Sequence, residues 1–310
     1  MGTSLTRRQL LAMFAMAPAG LGGRGCILRN GETIETWGDQ TERRDVLSSA
    51  KPVLTTLLFF AMQQKRVRDL DARIATFGWD LAPKDRTMTF VHLTSMTSGY
   101  GRPEAPGKAW AYNDFAINLY QKTLFDRVFQ EAPEKAAARL ENALGLQDGL
   151  AFRANNRRMS ASVRDFARIA EFWRLRGEWN GRRVLNRRYF DRYCRPQVPR
   201  NLPHTAKAET DDYLKIGTYG GGSDHFTDYG AGIYGGNWWF NGAGRLHPNA
   251  ITWPDAPRDT FMSIGAGGNC AAVIPSLGLV LVAMSANWGK LEPGNAAAPA
   301  NQHLLSLLKA

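Results

Sequence analysis

Two stretches of the 310-residue sequence place a serine three residues before a lysine. They are SSAK at Ser48–Lys51 and SLLK at Ser306–Lys309. On a helix, residues three apart share a face, so the lysine amine can reach the serine hydroxyl. A serine hydroxyl is a weak nucleophile until a base accepts its proton, and a partly neutral lysine can be that base. The spacing therefore indicates attack of a serine on a carbonyl carbon.

The residues around Ser48 favour the first stretch. Val46–Gln64 has the composition of one mostly buried helix, and Pro52 within it is tolerated only in a first turn. The helix is therefore expected to begin near Leu47, with Ser48 at its N-terminal end. Backbone N–H groups and the helix dipole at that end favour a negatively charged oxygen. The stretch at Ser306 ends the closing helix, and we expect it to be a chance match.

The elements that would position this helix come from both ends of the chain. Asn30-Gly31 between two short runs is typical of a β-hairpin with a type I′ turn. Short apolar strands recur in the last third, and helical patterns fill the middle. Helices are predicted over Leu70–Phe77, Phe115–Phe129, Glu134–Leu144, Val163–Arg176, Arg188–Tyr193 and Asn301–Lys309, and strands over Cys26–Arg29, Glu32–Trp37, Phe261–Ser263, Cys270–Ile274 and Leu279–Met284.

This order of elements predicts a fold of the α/β (α+β) class, with an antiparallel sheet flanked by helices and an all-helical insert. Residues 1–50 and 215–310 would form the sheet domain. Residues 51–214 would form the mainly helical domain, with the active site between the two.

Four further segments carry motifs that follow the first serine–lysine pair. The segments are Thr89–Tyr100 with its Thr-Ser-Gly, WAYND at Trp110–Asp114, Ser160–Ala170 followed by Gly177 and Gly181, and SIGAGG at Ser263–Gly268. In this order they resemble the motifs of the serine hydrolases of the β-lactamase and penicillin-binding superfamily, especially class C β-lactamases, family VIII esterases and 6-aminohexanoate-dimer hydrolases. The resemblance covers nearly the whole chain, from about Cys26 to Leu308.

The resemblance implies a β-lactamase and transpeptidase-like fold and a Ser48 acyl-enzyme intermediate. Ser48 would attack the carbonyl, and Lys51 would accept its proton, alone or with Tyr112. The Tyr112 hydroxyl would pass a proton to the leaving group. The backbone N–H groups of Ser48 and Ala266 would form the oxyanion hole, beside Gly265 on a strand that edges the site.

Two positions depart from the family pattern. Asp114 stands where the second motif, Y-x-N, usually ends in asparagine. A carboxylate there would stabilise the charged form of Lys51, which opposes a neutral lysine base, or would hold Lys51 in place while Tyr112 transfers more of the proton. Ser263 stands where a lysine or histidine is common. Without a cation to hold a substrate carboxylate, esters or plain amides are favoured over β-lactams.

An aromatic run at Tyr229–Phe240 is a candidate wall of the substrate pocket. Within it, Trp238 and Trp239 either face acyl or aryl groups of a substrate or fill the core. The loop Gly220–Asp224 is a candidate lid.

Charge and cysteine content argue against several other classes of protein. Lys+Arg 39 against Asp+Glu 28 gives a net charge of +11, a balance compatible with nucleic acid or an anionic surface. The arginines are dispersed in pairs, however, without the aromatic ladder that stacks bases, so we expect a small-molecule partner and no nucleic acid. The three cysteines form no metal-binding motif, and neither a metal nor another cofactor is expected.

The N-terminal segment has two interpretations. Thr6–Leu11 resembles a twin-arginine export motif, with a candidate cleavage site at Ala17-Pro18-Ala19, and would make the protein periplasmic or secreted. Alternatively, the segment is an amphipathic first helix of a cytoplasmic protein. No run of 18 or more apolar residues occurs elsewhere, so no membrane span is expected.

Three functions stay open at this point. The first is a serine hydrolase, of the carboxylesterase or amidase kind, that acts on short esters or amides. The second is a β-lactamase or D,D-peptidase. The third is a catalytically silent relative that binds a ligand or a partner.

Overall fold

A computed structural model describes residues 21–221, 230–254 and 256–287 of the chain. Their largest element is a seven-stranded sheet with the order β2-β1-β12-β11-β10-β9-β8, in which every neighbouring pair is antiparallel. The strands are β1 (Arg24–Arg29), β2 (Glu32–Trp37), β8 (Tyr234–Gly235), β9 (Trp238–Phe240), β10 (Phe261–Gly265), β11 (Asn269–Ile274) and β12 (Leu279–Met284). The predicted antiparallel sheet with flanking helices is confirmed.

The first hairpin forms where the sequence predicts it. Asn30 and Gly31 have φ angles of 51° and 85°, which a type I′ turn requires at both central positions. Strand β1 then pairs with β12 on its other side, with Arg24 opposite Met284 and Arg29 opposite Leu279. The first and the last strand of the described residues are therefore hydrogen-bonded neighbours inside the sheet.

Between β2 and β8 in the sequence, the described residues form six α-helices. Helix α5 packs against β1, β11 and β12, while α1 packs against α4. The remaining short strands form a three-stranded sheet, β3-β5-β4, and a hairpin, β6-β7. The helices are α1 (Lys51–Gln63), α2 (Phe90–Thr94), α3 (Asp114–Lys122), α4 (Pro133–Leu144), α5 (Val163–Arg174) and α6 (Arg187–Tyr193), and the short strands are β3 (Arg44–Asp45), β4 (Ala151–Phe152), β5 (Met159–Ala161), β6 (Glu178–Trp179) and β7 (Arg182–Arg183).

Helix α1 crosses the core, and every residue from Lys51 to Met62 is buried. Pro52 lies in its first turn, as predicted. A 3₁₀ turn, Leu47–Ala50, precedes the α-helix, so Ser48 lies in this turn and not in the first turn of the α-helix itself. This turn packs against β10 and β11.

Two predicted helices differ from those observed. Only a 3₁₀ turn, Ile74–Phe77, forms within Leu70–Phe77, because the neighbouring Arg73 pairs with Thr89 in a β-bridge instead of continuing a helix. The helix predicted over Phe115–Phe129 changes to a π-helical turn at Thr123. The predicted closing helix Asn301–Lys309 and the segment Thr6–Leu11 lie outside the described residues.

Strands β1, β2 and β8–β12 come from residues 24–37 and 234–284. The six helices fall between residues 51 and 193. A division into a sheet domain and a helical domain at residues 50 and 215 stays a prediction.

Candidate active site

The turn that carries Ser48 has an unusual backbone. Leu47 has a φ of 51°, in the left-handed region that a bulky side chain disfavours by roughly 1–3 kcal/mol. Its N–H donates to the Asp45 carboxylate at 2.9 Å. Asp45 in turn forms ion pairs with Arg153 and Arg158. The surrounding contacts therefore hold the residue before Ser48 in a conformation that it would not adopt alone.

Lys51 lies at the centre of a group of polar side chains. Its Nζ donates to Ser48 Oγ at 2.6 Å and to Tyr112 OH at 2.9 Å, and it lies 3.1 Å from Asp114 Oδ1. The Lys51 side chain is only 1% exposed. The structure thus brings together Ser48, Lys51, Tyr112 and Asp114, four residues that the sequence predicts to be neighbours.

Asn113 fixes the positions of its two neighbours, Tyr112 and Asp114. Asn113 caps helix α3, because its Oδ1 accepts from the N–H groups of Phe115 and Ala116 at 3.1 and 3.2 Å. Its amide nitrogen donates to the Tyr100 carbonyl at 2.9 Å. The start of α3 is thereby fixed against the loop that follows α2.

The Tyr112 hydroxyl is held in its protonated form. Burial raises its pKa above the ordinary value, and the Asp114 carboxylate adds to the rise, while a hydrogen bond with Ser48 opposes it. The ring is 2% exposed and stacks on Trp239, with centroids 6.1 Å apart and an interplanar angle of 18°. Tyr112 can therefore donate a proton to a neighbouring oxygen or nitrogen.

Asp114 contacts two donors from different parts of the chain. One carboxylate oxygen faces Lys51, and the other accepts from the Gly221 N–H at 3.1 Å. The side chain is 4% exposed. An asparagine here could present only one oxygen, so the carboxylate provides an acceptor that the usual family residue lacks.

Strand β10 ends directly against the turn Leu47–Ala50, which carries the predicted nucleophile Ser48 and is hereafter the nucleophile turn. A Cβ on Gly265 would lie 2.6 Å from the Val46 carbonyl oxygen and 2.7 Å from the Ser49 nitrogen. Only glycine allows this approach without displacement. Ala266 follows at an exposed position, and its carbonyl accepts from Asn269 at 2.7 Å. The oxyanion role of the Ala266 N–H stays a prediction.

Ser263 points into the protein rather than towards a substrate. Its side chain is fully buried, and its Oγ lies 2.7 Å from Ser49 Oγ. The same oxygen accepts from the Ala271 N–H at 3.2 Å. Ser263 therefore connects β10 and β11 to the nucleophile turn and offers no charge to a ligand.

Trp238 is not part of the group around Lys51. It is fully buried and packs edge-on against Trp173 of α5, with centroids 5.5 Å apart, and against Phe261 at 6.4 Å. Because successive side chains of a strand point to opposite faces, the neighbouring Trp239 of β9 contacts Tyr112 instead.

Sequence reasoning missed Tyr219, which also belongs to the site. Its ring lies 4.7 Å from Lys51 Nζ, the same distance as the Tyr112 ring. The only sequence signal is an aromatic residue directly before the glycines at 220–222. The candidate lid Gly220–Asp224 is described only as far as Gly221.

Neither a metal centre nor a membrane helix accompanies the site in the described part of the chain. Among residues 21–221, 230–254 and 256–287, no group of three or more His, Cys, Asp or Glu side chains is placed to hold a metal ion. In the same ranges, no helix is long and apolar enough to cross a membrane.

Comparison with known proteins gives matches among solved structures alone. No family model matches the chain, and no curated protein matches it. A β-lactamase from Mycobacterium bovis superposes with a TM-score of 0.62 at 15% identity, over 98% of this chain and 99% of that one. The chain has the β-lactamase and penicillin-binding-protein fold. The predicted resemblance is therefore confirmed at the level of the fold.

Two further matches of this fold carry different names. EstCE1, a hydrolase with promiscuous acyltransferase activity, superposes with a TM-score of 0.61 at 14% identity, over 91% of this chain and 93% of that one. A class C β-lactamase from Rhodobacter sphaeroides has a TM-score of 0.58 at 14% identity and covers 98% of both chains. A protein named as a hydrolase with acyltransferase activity and one named as a class C β-lactamase are thus equally similar to this chain in sequence. The fold alone therefore does not identify a substrate.

Proposed function

We propose that the protein is a serine hydrolase that cleaves ester or amide bonds through a Ser48 acyl-enzyme intermediate. The observation that carries this proposal is the 2.6 Å contact between Ser48 Oγ and Lys51 Nζ, with the Tyr112 hydroxyl 2.9 Å from the same nitrogen. A nucleophile, a candidate base and a proton donor are therefore within hydrogen-bond distance before any substrate binds.

The reaction would proceed in two stages. Ser48 Oγ attacks the carbonyl carbon, and its proton passes to a neutral Lys51, directly or through Tyr112. The tetrahedral intermediate collapses when Tyr112 protonates the leaving oxygen or nitrogen and takes the proton held by Lys51 in return, which leaves Ser48 acylated and both groups in their starting forms. Water then attacks the acyl carbon and gives a proton to Lys51, and a proton returns through Tyr112 to Ser48 Oγ as the acid is released.

Esters and plain amides fit the site better than β-lactams do. Binding of a substrate carboxylate would need a cation, and the third-motif position holds Ser263, whose hydroxyl is engaged with Ser49 and Ala271. The solved structures that resemble this chain include EstCE1, which is named as a hydrolase with promiscuous acyltransferase activity. A β-lactamase or D,D-peptidase activity is the second candidate, since several matches are named for it.

A substrate panel tests the proposal. The wild type should hydrolyse p-nitrophenyl butyrate faster than nitrocefin, and Ser48→Ala should lose at least about a thousandfold in rate while its unfolding temperature stays unchanged. A fluorophosphonate probe should label Ser48, located by mass spectrometry of the peptide.

Ser306→Ala is the matched control, because Ser306 belongs to the second serine–lysine stretch. It should keep full activity. Retained hydrolysis in Ser48→Ala would overturn the proposal. A wild type that neither turns over nor becomes labelled would favour the silent relative.

A further inference from the structure

The segment Tyr219–Gly221 touches both halves of the site. The Tyr219 hydroxyl donates to the Leu47 carbonyl at 2.9 Å, directly before the nucleophile. Its ring lies 4.7 Å from Lys51 Nζ. Tyr219 is 2% exposed, and burial raises the pKa of its hydroxyl well above the ordinary value, so the hydroxyl stays a donor.

This segment is fastened to the start of α3. The Tyr219 N–H donates to the Asp114 carbonyl at 3.1 Å, and the Gly221 N–H donates to the Asp114 carboxylate at 3.1 Å. A Cβ on Gly220 would lie 2.4 Å from that carboxylate, so a side chain at this position would push the Asp114 carboxylate out of its place. The Tyr219 carbonyl accepts from Asn156 at 3.2 Å. Tyr219 therefore has a fixed backbone from which its side chain reaches across Lys51 to Leu47.

We propose that Tyr219 is a positioning residue that sets the spacing between nucleophile and base, its ring covering Lys51 and its hydroxyl holding the Leu47 carbonyl. This inference rests on the proposed hydrolase function. The two contacts act on different atoms. The hydroxyl supports the left-handed conformation of Leu47 and hence the direction of Ser48. The ring, together with that of Tyr112, surrounds the Lys51 amine with aromatic faces, which attract a cation.

Two substitutions separate these contacts. Tyr219→Phe keeps the ring and removes the hydroxyl, so kcat should fall about tenfold and KM should stay the same. Tyr219→Leu removes both, so kcat should fall about a hundredfold or more, again with KM unchanged, because the ring no longer covers the Lys51 amine.

Tyr213→Phe is the matched control, because the Tyr213 hydroxyl donates to Asp85 at 2.8 Å and contacts none of the site residues. All three variants and the wild type are assayed with p-nitrophenyl butyrate so that kcat and KM are obtained separately, and their thermal unfolding is followed. Tyr213→Phe should leave both constants unchanged. An equal kcat in the wild type and both Tyr219 variants, or a loss that appears only in KM, would overturn the inference.

Crystal structures of the wild type and of Tyr219→Leu test the spacing without turnover. In the variant, Leu47 should leave the left-handed region, or Ser48 Oγ and Lys51 Nζ should separate beyond hydrogen-bond distance. If the variant keeps the 2.6 Å contact and the left-handed Leu47, the inference is wrong even where the hydrolase proposal holds. If the wild type has no esterase activity and no labelled Ser48, the hydrolase proposal fails, and the structures still decide the role of Tyr219.

Discussion

The Lys51 amine has one acceptor for each of its three possible N–H groups. Ser48, Tyr112 and Asp114 each lie within 3.1 Å of Nζ. This arrangement suits an ammonium group, whereas a base must present a lone pair to the Ser48 proton. In the proposed reaction, the contact with Ser48 must therefore reverse its direction, so that the amine accepts from the hydroxyl.

Asp114→Asn should slow hydrolysis. One carboxylate oxygen lies 3.1 Å from Lys51 Nζ and the other accepts from the Gly221 N–H at 3.1 Å, and an amide can present an oxygen to only one of these donors. The kcat/KM for p-nitrophenyl butyrate should therefore fall about tenfold. Because the pKa of Tyr112 is raised above its ordinary 10.0, ionisation of Tyr112 should cause no loss of activity below pH 10.

A second lysine–aspartate pair supplies the control for this variant. Lys84 donates to Asp85, whose carboxylate is buried while Lys84 is 34% exposed, and neither residue contacts Ser48 or Lys51. Asp85→Asn should lower the unfolding temperature and leave kcat/KM unchanged. An Asp114→Asn enzyme with the wild-type kcat/KM would show that the carboxylate is not needed to hold Lys51.

The site could be predicted from the sequence only where local spacing determines it. Ser48 and Lys51 are three residues apart at the start of one helix, and Tyr112 and Asp114 flank the residue that caps another. Tyr219 has no such relation to Lys51 in the sequence. Its position follows from contacts between α3 and a loop that local patterns do not describe.

At the scale of the elements, the end of strand β10 lies so close to the turn Leu47–Ala50 that a side chain at Gly265 has no room. Gly265→Ala would place a methyl group 2.6 Å from the Val46 carbonyl oxygen, so the strand and the nucleophile turn must separate. We expect about 1–3 kcal/mol of lost stability and a fall in ester hydrolysis of about a hundredfold. Urea unfolding and kcat/KM measure the two effects.

Gly242→Ala is the control for this substitution. A Cβ on Gly242 would lie 3.3 Å from the Ile233 side chain, which can move slightly, and its φ is not left-handed. This variant should keep near wild-type activity. A Gly265→Ala enzyme that is as active as Gly242→Ala would show that the close approach of β10 is not needed for catalysis.

The strands were easier to predict than the connections between helices. Apolar runs of five or six residues at Phe261–Gly265, Asn269–Ile274 and Leu279–Met284 form strands because they are buried on both faces. Leu70–Phe77 has a helical pattern of similar strength, but its backbone pairs with Thr89 and Met88 instead. Pairings of this kind depend on tertiary contacts that a local pattern does not contain.

At the scale of the whole molecule, two buried cysteines can be used to follow the unfolding of the seven-stranded sheet. Cys26 lies in β1 and Cys270 in β11, and both are buried. Burial raises the pKa of the Cys26 thiol to about 12 and that of Cys270 well above its ordinary value. Thiolate is the reactive form, so both should be inert to iodoacetamide in the folded protein at pH 8.

Quantitative labelling over a urea series checks this expectation. Cys26 and Cys270 should become reactive together, at the urea concentration where circular dichroism reports loss of structure, because one sheet contains both. Labelling of either cysteine well below that concentration would show that the sheet opens in parts.

The pairing of β1 with β12 also bears on how the protein is made. Strand β1 lies between β2, which follows it directly in the sequence, and β12, which ends at Met284. Its partner β2 is available soon after β1 is synthesised, but β12 emerges only after β8–β11. The turn that carries Ser48 likewise waits for Gly265. Until then the nascent chain carries an apolar strand that lacks one of its two partners, and chaperones that bind such strands have their longest opportunity here.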